Sequence, residues 1–551
     1  MTKLAAIAVL VMAIAAAACA APAPGAPASP PAGEPVYGGV LNLHVRNDPP
    51  DWDPNGQGAG VPGYYGLAQA YSSLLGFENG PDIDYAKMVL RPKLAERWEV
   101  TDGGRTVTFQ LRQGVKFAPS TGSANAIKGL NGRELTSSDV KWTAEYYTRT
   151  GEFKDKKLPE SRRLFMYQGL ERVETQGPYT VQFRFADPFA PFLPYVASDL
   201  NPIVAHEIFD EDGSHKDRIL GTGPFQRDDQ ASQQGTRWVF KKNPAYWEAG
   251  KPYLDEIRWI VILDDAAALP AFQTRQLDVM YNLPPEQAND IKRTTPNAQL
   301  LKWLQPHGAN LRVSQQPGSV TAADIRVRRA ISLGLDRDEI NRVFSGGEGT
   351  WSLPGAMNGL FTEAEAKQLY KFDPEAAKRL LAESGFPNGI TLDLPTDTSR
   401  SQSEITLYQL MQAQLKKVGI AVDWKPMDQA LQRQKRIAGD FGLDATTGTL
   451  PLEADNDSIL YAEYHSSLHR SSNYSKVNDP ELDRILEAGR REMDPDKRRE
   501  LLRTAVRRIV DQVYMIGLVY TSKYDALQPY VRDYYPHFSD RGSHLFSWLQ
   551  K

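Results

Sequence analysis

The chain has 551 residues, 41% of them hydrophobic and 24% charged, with a formal net charge of −4. A single core stops growing near ~250–300 residues, so this length calls for several cores. The near-neutral balance gives no electrostatic reason to hold nucleic acid, and the one cysteine excludes an intrachain disulfide or a four-cysteine zinc site.

Met1-Thr2-Lys3 precedes fifteen apolar residues, Leu4 to Ala18. A positive start and an apolar run of this length predict a secretory signal peptide over residues 1–18, since a membrane-spanning helix takes about 20 residues. Ala16-Ala17-Ala18-Cys19 follows and is similar to a bacterial lipobox, which would place a diacylglycerol on Cys19. Ordinary cleavage after Ala-x-Ala is the alternative. Residues 20–35 hold six Ala, six Pro and two Gly, a composition that forms an extended tether rather than a fold.

Strands and helices then alternate. Val40 to Val45 reads as a first strand. Trp98-Glu99-Val100 and Val107 to Leu111 flank Thr101-Asp102-Gly103-Gly104, a hairpin pattern. Thr136-Ser137-Ser138-Asp139 is a capping box ahead of a helix with Val140 and Trp142. Tyr179, Val181, Phe183 and Phe185 alternate on a strand, as do Ile257, Trp259, Val261 and Leu263. Gly221, Gly223 and Pro224 predict a sharp turn with unusual backbone angles.

Val327, Ala330, Ile331, Gly334 and Leu335 recur at helical spacing, with Arg328 and Arg329 expected on the solvent face. Asp373-Pro374, Asp479-Pro480 and Asp494-Pro495 open further helices. Ile420 to Trp424 and Val513 to Tyr520 read as strands. Arg490-Arg491 and Arg507-Arg508 sit among acids and read as solvated helix faces. No Gly-x-Ser-x-Gly, His-Glu-x-x-His or P-loop is present, Asp264-Asp265 reads as a helix cap, and an enzyme is not expected. His465 and His469 have the i, i+4 spacing of a metal pair but no fixed third ligand, so neither metal nor cofactor is expected.

Several blocks together resemble one family. Leu94-Ala95-Glu96-Arg97-Trp98-Glu99-Val100, Phe109 to Phe117, Gly221-Thr222-Gly223-Pro224-Phe225, Asn243-Pro244-Ala245-Tyr246-Trp247, Asp324 to Ile331, Asp373 to Gly385 and Asn473-Tyr474-Ser475 fall in order along the chain. They are similar to the family 5 extracellular solute-binding proteins, the dipeptide, oligopeptide and nickel-binding group. The resemblance implies an α/β, two-lobed periplasmic-binding-protein fold (type II, large form) with an extra domain in lobe I. Lobe I would comprise 36–72, 200–304 and 520–551, the extra domain 73–199, and lobe II 305–519, after a signal peptide 1–18 and a lipid-anchored linker 19–35. The implied function is the extracytoplasmic substrate-binding component of an ABC importer. It would be a monomer held at the membrane by its lipid, capturing a peptide or related polar solute by hinge closure for the permease subunits. A sugar or oligosaccharide receptor, or a chaperone or sensor co-receptor without a transport role, are the alternatives.

Peptide binders of this family hold the ligand ammonium with an acid after a Trp-containing stretch, because a buried ammonium requires a carboxylate. Phe441 to Asp457 lacks both the tryptophan and the acid at their usual places, which puts a free peptide in question. Glu453, Asp455 and Asp444 are candidates to substitute, unless Asp455-Asn456-Asp457 merely caps a helix. Thr446 to Thr449, with Thr447 among them, offer hydroxyls to a polar solute. Trp52, Tyr64, Tyr65, Trp351 and Trp424 are candidate cleft aromatics, and Tyr64 and Trp351 are favoured because they stand in Gly/Pro-rich loops. Asn47 and Asn310, each following a strand, could hydrogen-bond the ligand.

Overall fold

A computed structural model describes residues 33–551 apart from 50, 56–60, 84–87, 120–126, 131, 160, 306–307, 358, 399, 448–454, 469–471, 537–543 and 551. The signal peptide, Cys19 and most of the linker lie outside the described residues.

From Pro35 onward the chain builds three sheet-centred cores. The strand Val40–Val45 lies inside a seven-stranded sheet. It pairs in parallel with Glu256–Val261, from Val40 opposite Glu256 to Val45 opposite Val261. Val279–Leu283, Ser522–Leu527 and Gln299–Leu304 extend the sheet on one side, Arg237–Lys242 and Phe225–Arg227 on the other. Leu41, Leu43, Trp52, Phe240, Ile257 and Trp259 fill its core.

A second, antiparallel sheet holds Ala95–Thr101, Thr106–Leu111, Thr180–Phe185 and Leu170–Thr175 in that order. The expected hairpin turn forms at Asp102–Gly104, where Gly103 and Gly104 take φ of +62° and +98°. Thr136 and Asp139 close the expected capping box on the helix Ser137–Thr148. Phe109, Tyr147, Phe183 and Phe192 form the centre of this core.

The third core surrounds Thr350–Trp351, Met515–Tyr520, Ala309–Val313 and Leu443–Thr447, in that order. Beside it, Ile390–Asp397 and Ile420–Met427 pair in parallel, joined by the helix Gln402–Lys417. The three Asp-Pro helix starts form as expected. Asp373, Asp479 and Asp494 each accept from the first turns of Pro374–Glu383, Pro480–Arg491 and Pro495–Gln512. Asp264 likewise caps Asp265–Gln273.

The chain crosses from the seven-stranded sheet to the third core after Gln299–Leu304 and returns between Met515–Tyr520 and Ser522–Leu527. The two crossings are tied together. The Gln305 N–H donates to the Thr521 carbonyl at 2.9 Å, and the Thr521 hydroxyl donates to Gln305 Oε1 at 2.8 Å.

Three sequence expectations are corrected. Arg328 is buried rather than on a solvent face, and its guanidinium donates to the Gln512 and Thr321 carbonyls at 2.9 and 2.6 Å. Arg490 is also buried, on Asp457. The periodicity showed a charge on a helix but not the carbonyls and carboxylates that tertiary packing brings to it. Gly221 and Gly223 have no left-handed backbone, because close approach demands them. A Cβ would stand 2.5 Å from the Ala70 carbonyl at Gly221, and 2.4 Å from the Gln69 carbonyl at Gly223.

Candidate functional site

The third core's sheet alternates in the usual period of two. Leu311, Val313, Leu443 and Ala445 face the packed interior beside the helix Gln402–Lys417. Asn310 and Arg312 stand on the opposite face, paired across the ladder with Thr446 and Asp444. Ala309 pairs with Thr447, so Asn310 and Thr447 stand one register step apart, next to the crossing at Gly308. Successive strand residues face opposite sides, so Asn310 and Thr447 are neighbours along the ladder but point to opposite faces of the sheet.

Asn310 lies in the strand rather than after it, and is buried. Its Nδ2 donates to the Gly308 carbonyl at 2.8 Å, while its Oδ1 is buried without a hydrogen-bond partner. Thr447 donates its hydroxyl to Glu404 Oε1. Glu404 is placed by the capping box that starts its helix, where the Ser401 N–H and hydroxyl donate to Oε2 at 2.9 and 2.8 Å. Arg400 sits between Asp397, at the carboxyl end of a parallel strand, and Glu404, at 2.8 and 2.9 Å. In open α/β sheets, ligands bind beyond the carboxyl ends of strands.

Burial works against the Glu404 charge, but Thr447, the Ser401 N–H and Arg400 outweigh it and hold the carboxyl below its usual range. Burial likewise opposes the Arg400 charge, and Tyr408, Glu404 and Asp397 more than offset that, so it stays cationic. Arg400 Nε, Tyr408 Oη and Trp424 Nε1 are all buried and without hydrogen-bond partners. The Tyr408 and Trp424 rings meet edge-on at 6.0 Å. Burying a polar group unpaired costs free energy, so three such groups together mark a place where an acceptor belongs. Sequence reasoning named Trp424 but missed Arg400, Glu404 and Tyr408. The visible signal was the Ser401-Gln402-Ser403-Glu404 capping box directly after Arg400.

The remaining candidates fall elsewhere. Asn47 is exposed beyond the strand Val40–Val45 and donates to the neighbouring Asp48 carbonyl. Tyr64 belongs to the helix Val61–Ala70, not to a loop; its side chain and that of Tyr65 lie outside the described part, as do Glu453 and His469. Trp351 is not in a loop either. It forms a short strand with Val519 opposite, is 9% exposed, and donates its indole N–H to Asp338 Oδ1 at 2.8 Å. Trp52 is buried against Trp238 and Trp259. Asp455 is buried and receives both Arg498 terminal nitrogens, at 2.7 and 2.6 Å. Its carboxylate is engaged before any ammonium could reach it. Burial alone would raise its pKa, yet Arg498 holds it below the ordinary carboxylate range. His465 stacks on Tyr461 and contacts Ser467 and Glu487.

The model of the bacterial extracellular solute-binding proteins, family 5 Middle, matches residues 89–468. The chain belongs to this family. It is a solute-binding component of an ABC importer, built on the two-lobed α/β binding-protein fold with an extra domain. The heme-binding protein A of Haemophilus influenzae is 26% identical over 495 residues, which are 85% of this chain and 84% of that one. The dipeptide-binding protein of Escherichia coli is 27% identical over 466 residues, 80% and 83% of the two chains. The solved structure of the periplasmic binding protein DppA from Helicobacter pylori, in complex with the peptide STSA, superposes with a TM-score of 0.77. That likeness covers 94% of this chain and 99% of the other at 21% identity, and speaks for the fold. In this binding protein the lobes are joined through the Gln305–Thr521 rung.

Proposed function

We propose that this binding protein captures a peptide or related polar compound bearing a carboxylate between its two lobes, and delivers it unchanged to a membrane permease. One observation carries the reading: Arg400 Nε, Tyr408 Oη and Trp424 Nε1 are three buried polar groups without partners, two of them donors only. Both Arg400 terminal nitrogens are taken by Asp397 and Glu404, which leaves Nε as the charged donor, and a charged donor holds a carboxylate more strongly than a neutral hydroxyl. A peptide offers such a carboxylate, as does the ligand named for the dipeptide-binding relative. Cys19 would carry the lipid that holds the exported protein at the membrane through the tether of residues 20–35, and the receptor would act as a monomer.

Native mass spectrometry of the protein purified from its producing cells tests the reading, because closed lobes retain ligand. The expected adduct is a small peptide or peptide-like acid, released on denaturation with its mass intact. A neutral sugar as the retained species, or chemical conversion of the added compound, would overturn it.

A further inference from the structure

The core around 74–220 and the third core are far apart in sequence and meet the rest of the chain through different segments. Yet they touch. Tyr195 donates its hydroxyl to Asp457 Oδ2 at 2.8 Å. Arg490 holds the same carboxylate in a fork, Nε on Oδ1 at 2.8 Å and Nη2 on Oδ2 at 2.7 Å. Its remaining nitrogen meets Gln168 Oε1, and Gln168 Nε2 donates to the Tyr461 hydroxyl at 3.3 Å. The Ala190 N–H donates to the Arg490 carbonyl at 2.8 Å. The guanidinium lies 3.3 Å over the Tyr461 ring and 5.5 Å from that of Phe189. Met357 and Ile459, from the third core, pack into the 74–220 core. The Asp457 and Arg490 side chains are 3% and 8% exposed.

Asp457 and Arg490 belong to one body, Tyr195, Gln168 and Phe189 to the other. A charged pair at a permanent interface is weak evidence for stability, because desolvation offsets the attraction. At an interface that opens, the same chemistry has a use. Water takes over the bonds of Tyr195 and Gln168 when the bodies part, and the bonds re-form when they meet. We propose that Asp457–Arg490, completed by Tyr195 and Gln168, is a closure latch: it sets the fraction of closed protein before any ligand arrives, and so scales the affinity for every ligand alike. Apparent affinity is the intrinsic value multiplied by the competent fraction. Losing one hydrogen bond to a charged group shifts the open-to-closed ratio about tenfold.

The test is small-angle X-ray scattering of the ligand-stripped mature protein, with Tyr195→Phe and Gln168→Ala beside the wild type, and thermal melts of each. The expected result is a larger radius of gyration in both variants with little change in melting temperature. In an Asp457→Ala background, which removes the acceptor, Tyr195→Phe should then add nothing. Variants that melt lower but scatter like the wild type would make the contact a fixed interface and overturn the latch. So would a wild type whose ligand-free scattering already fits an open form.

Discussion

Arg312 and Asp444 stand directly opposite each other on antiparallel strands, and Arg312 Nη1 donates to Asp444 Oδ2 at 3.0 Å in the buried interior. Glu463 receives the other terminal nitrogen at 2.9 Å, and Gln432 and Arg436 donate to Asp444 Oδ1 at 3.2 and 3.0 Å. Burial opposes the Arg312 charge, but Glu463 and Asp444 outweigh it and keep the guanidinium above its usual range. A carboxylate so completely used is part of the scaffold.

Asp444→Ala should therefore destabilise the second lobe rather than remove a ligand contact. Stripping one partner from a buried pair costs about 3–5 kcal/mol. Chemical denaturation should show a lowered midpoint, and whatever protein stays folded should keep its ligand affinity. A stable variant with weakened binding would make Asp444 the ligand's acid after all.

Arg400→Ala should weaken ligand binding. It also leaves Asp397 and Glu404 without their cation, so some loss of stability is expected and affinity is compared on the folded fraction. Removing one partner of a desolvated charge pair in a complex costs 2–5 kcal/mol, a weakening of about 30-fold or more. Titration calorimetry with the compound released from the native protein gives the number. The carboxyl-amidated form of that compound should bind wild type and variant alike; amidation without effect on the wild type would count against a carboxylate.

Local chemistry made much of the fold legible. The turn at Asp102–Gly104 and the helix starts at Asp373, Asp479 and Asp494 each depend on neighbours within four residues. Asn310 and Thr447 were legible as polar residues near one crossing, but not that the pleat points them to opposite faces of the sheet. Arg490 could not be read correctly, because its partners Asp457 and Gln168 lie 33 and 322 residues away. The altered Phe441–Asp457 stretch pointed to acids that Arg312, Arg436 and Arg498 already occupy, a fact that belongs to packing and not to pattern.

Trp351 separates packing from binding. The ring sits with Leu353, Tyr370 and Leu460 in the third core, and its N–H is bound to Asp338. Trp351→Ala should cost about 3–5 kcal/mol through the cavity it leaves. Trp351→Phe should cost less, since it keeps most of the volume and loses one hydrogen bond. Urea melts rank the two; a wild-type midpoint for Trp351→Ala would return the residue to the cleft.

His544 gives the protein a pH dependence above the carboxylate range. The ring is fully buried, stacked 5.2 Å from Tyr534, with Nδ1 on the Ser547 hydroxyl at 3.0 Å and Nε2 on the Tyr281 hydroxyl. Burial pushes its pKa down to about 3, against about 6.5 in the unfolded chain. Between those values the unfolded state binds a proton that the folded state refuses. Stability must then fall as pH falls through that window, by up to ~1.4 kcal/mol per pH unit, and be unaffected by this group above it. His215, also buried with a lowered pKa through desolvation, adds a second slope of the same sign. The lowered Asp455 and Asp479 carboxyls contribute only once the pH nears 4. Denaturation at pH 7.0, 6.0 and 5.0 should therefore show the histidine slopes, partly offset toward pH 5 by Asp51 and Glu145, whose burial raises their carboxyl pKa and gives the opposite sign. His544→Gln, uncharged throughout, should remove one proton's worth of that slope and leave the His215 share. Parallel wild-type and variant profiles would place the His544 proton on the folded protein as well and sink the prediction.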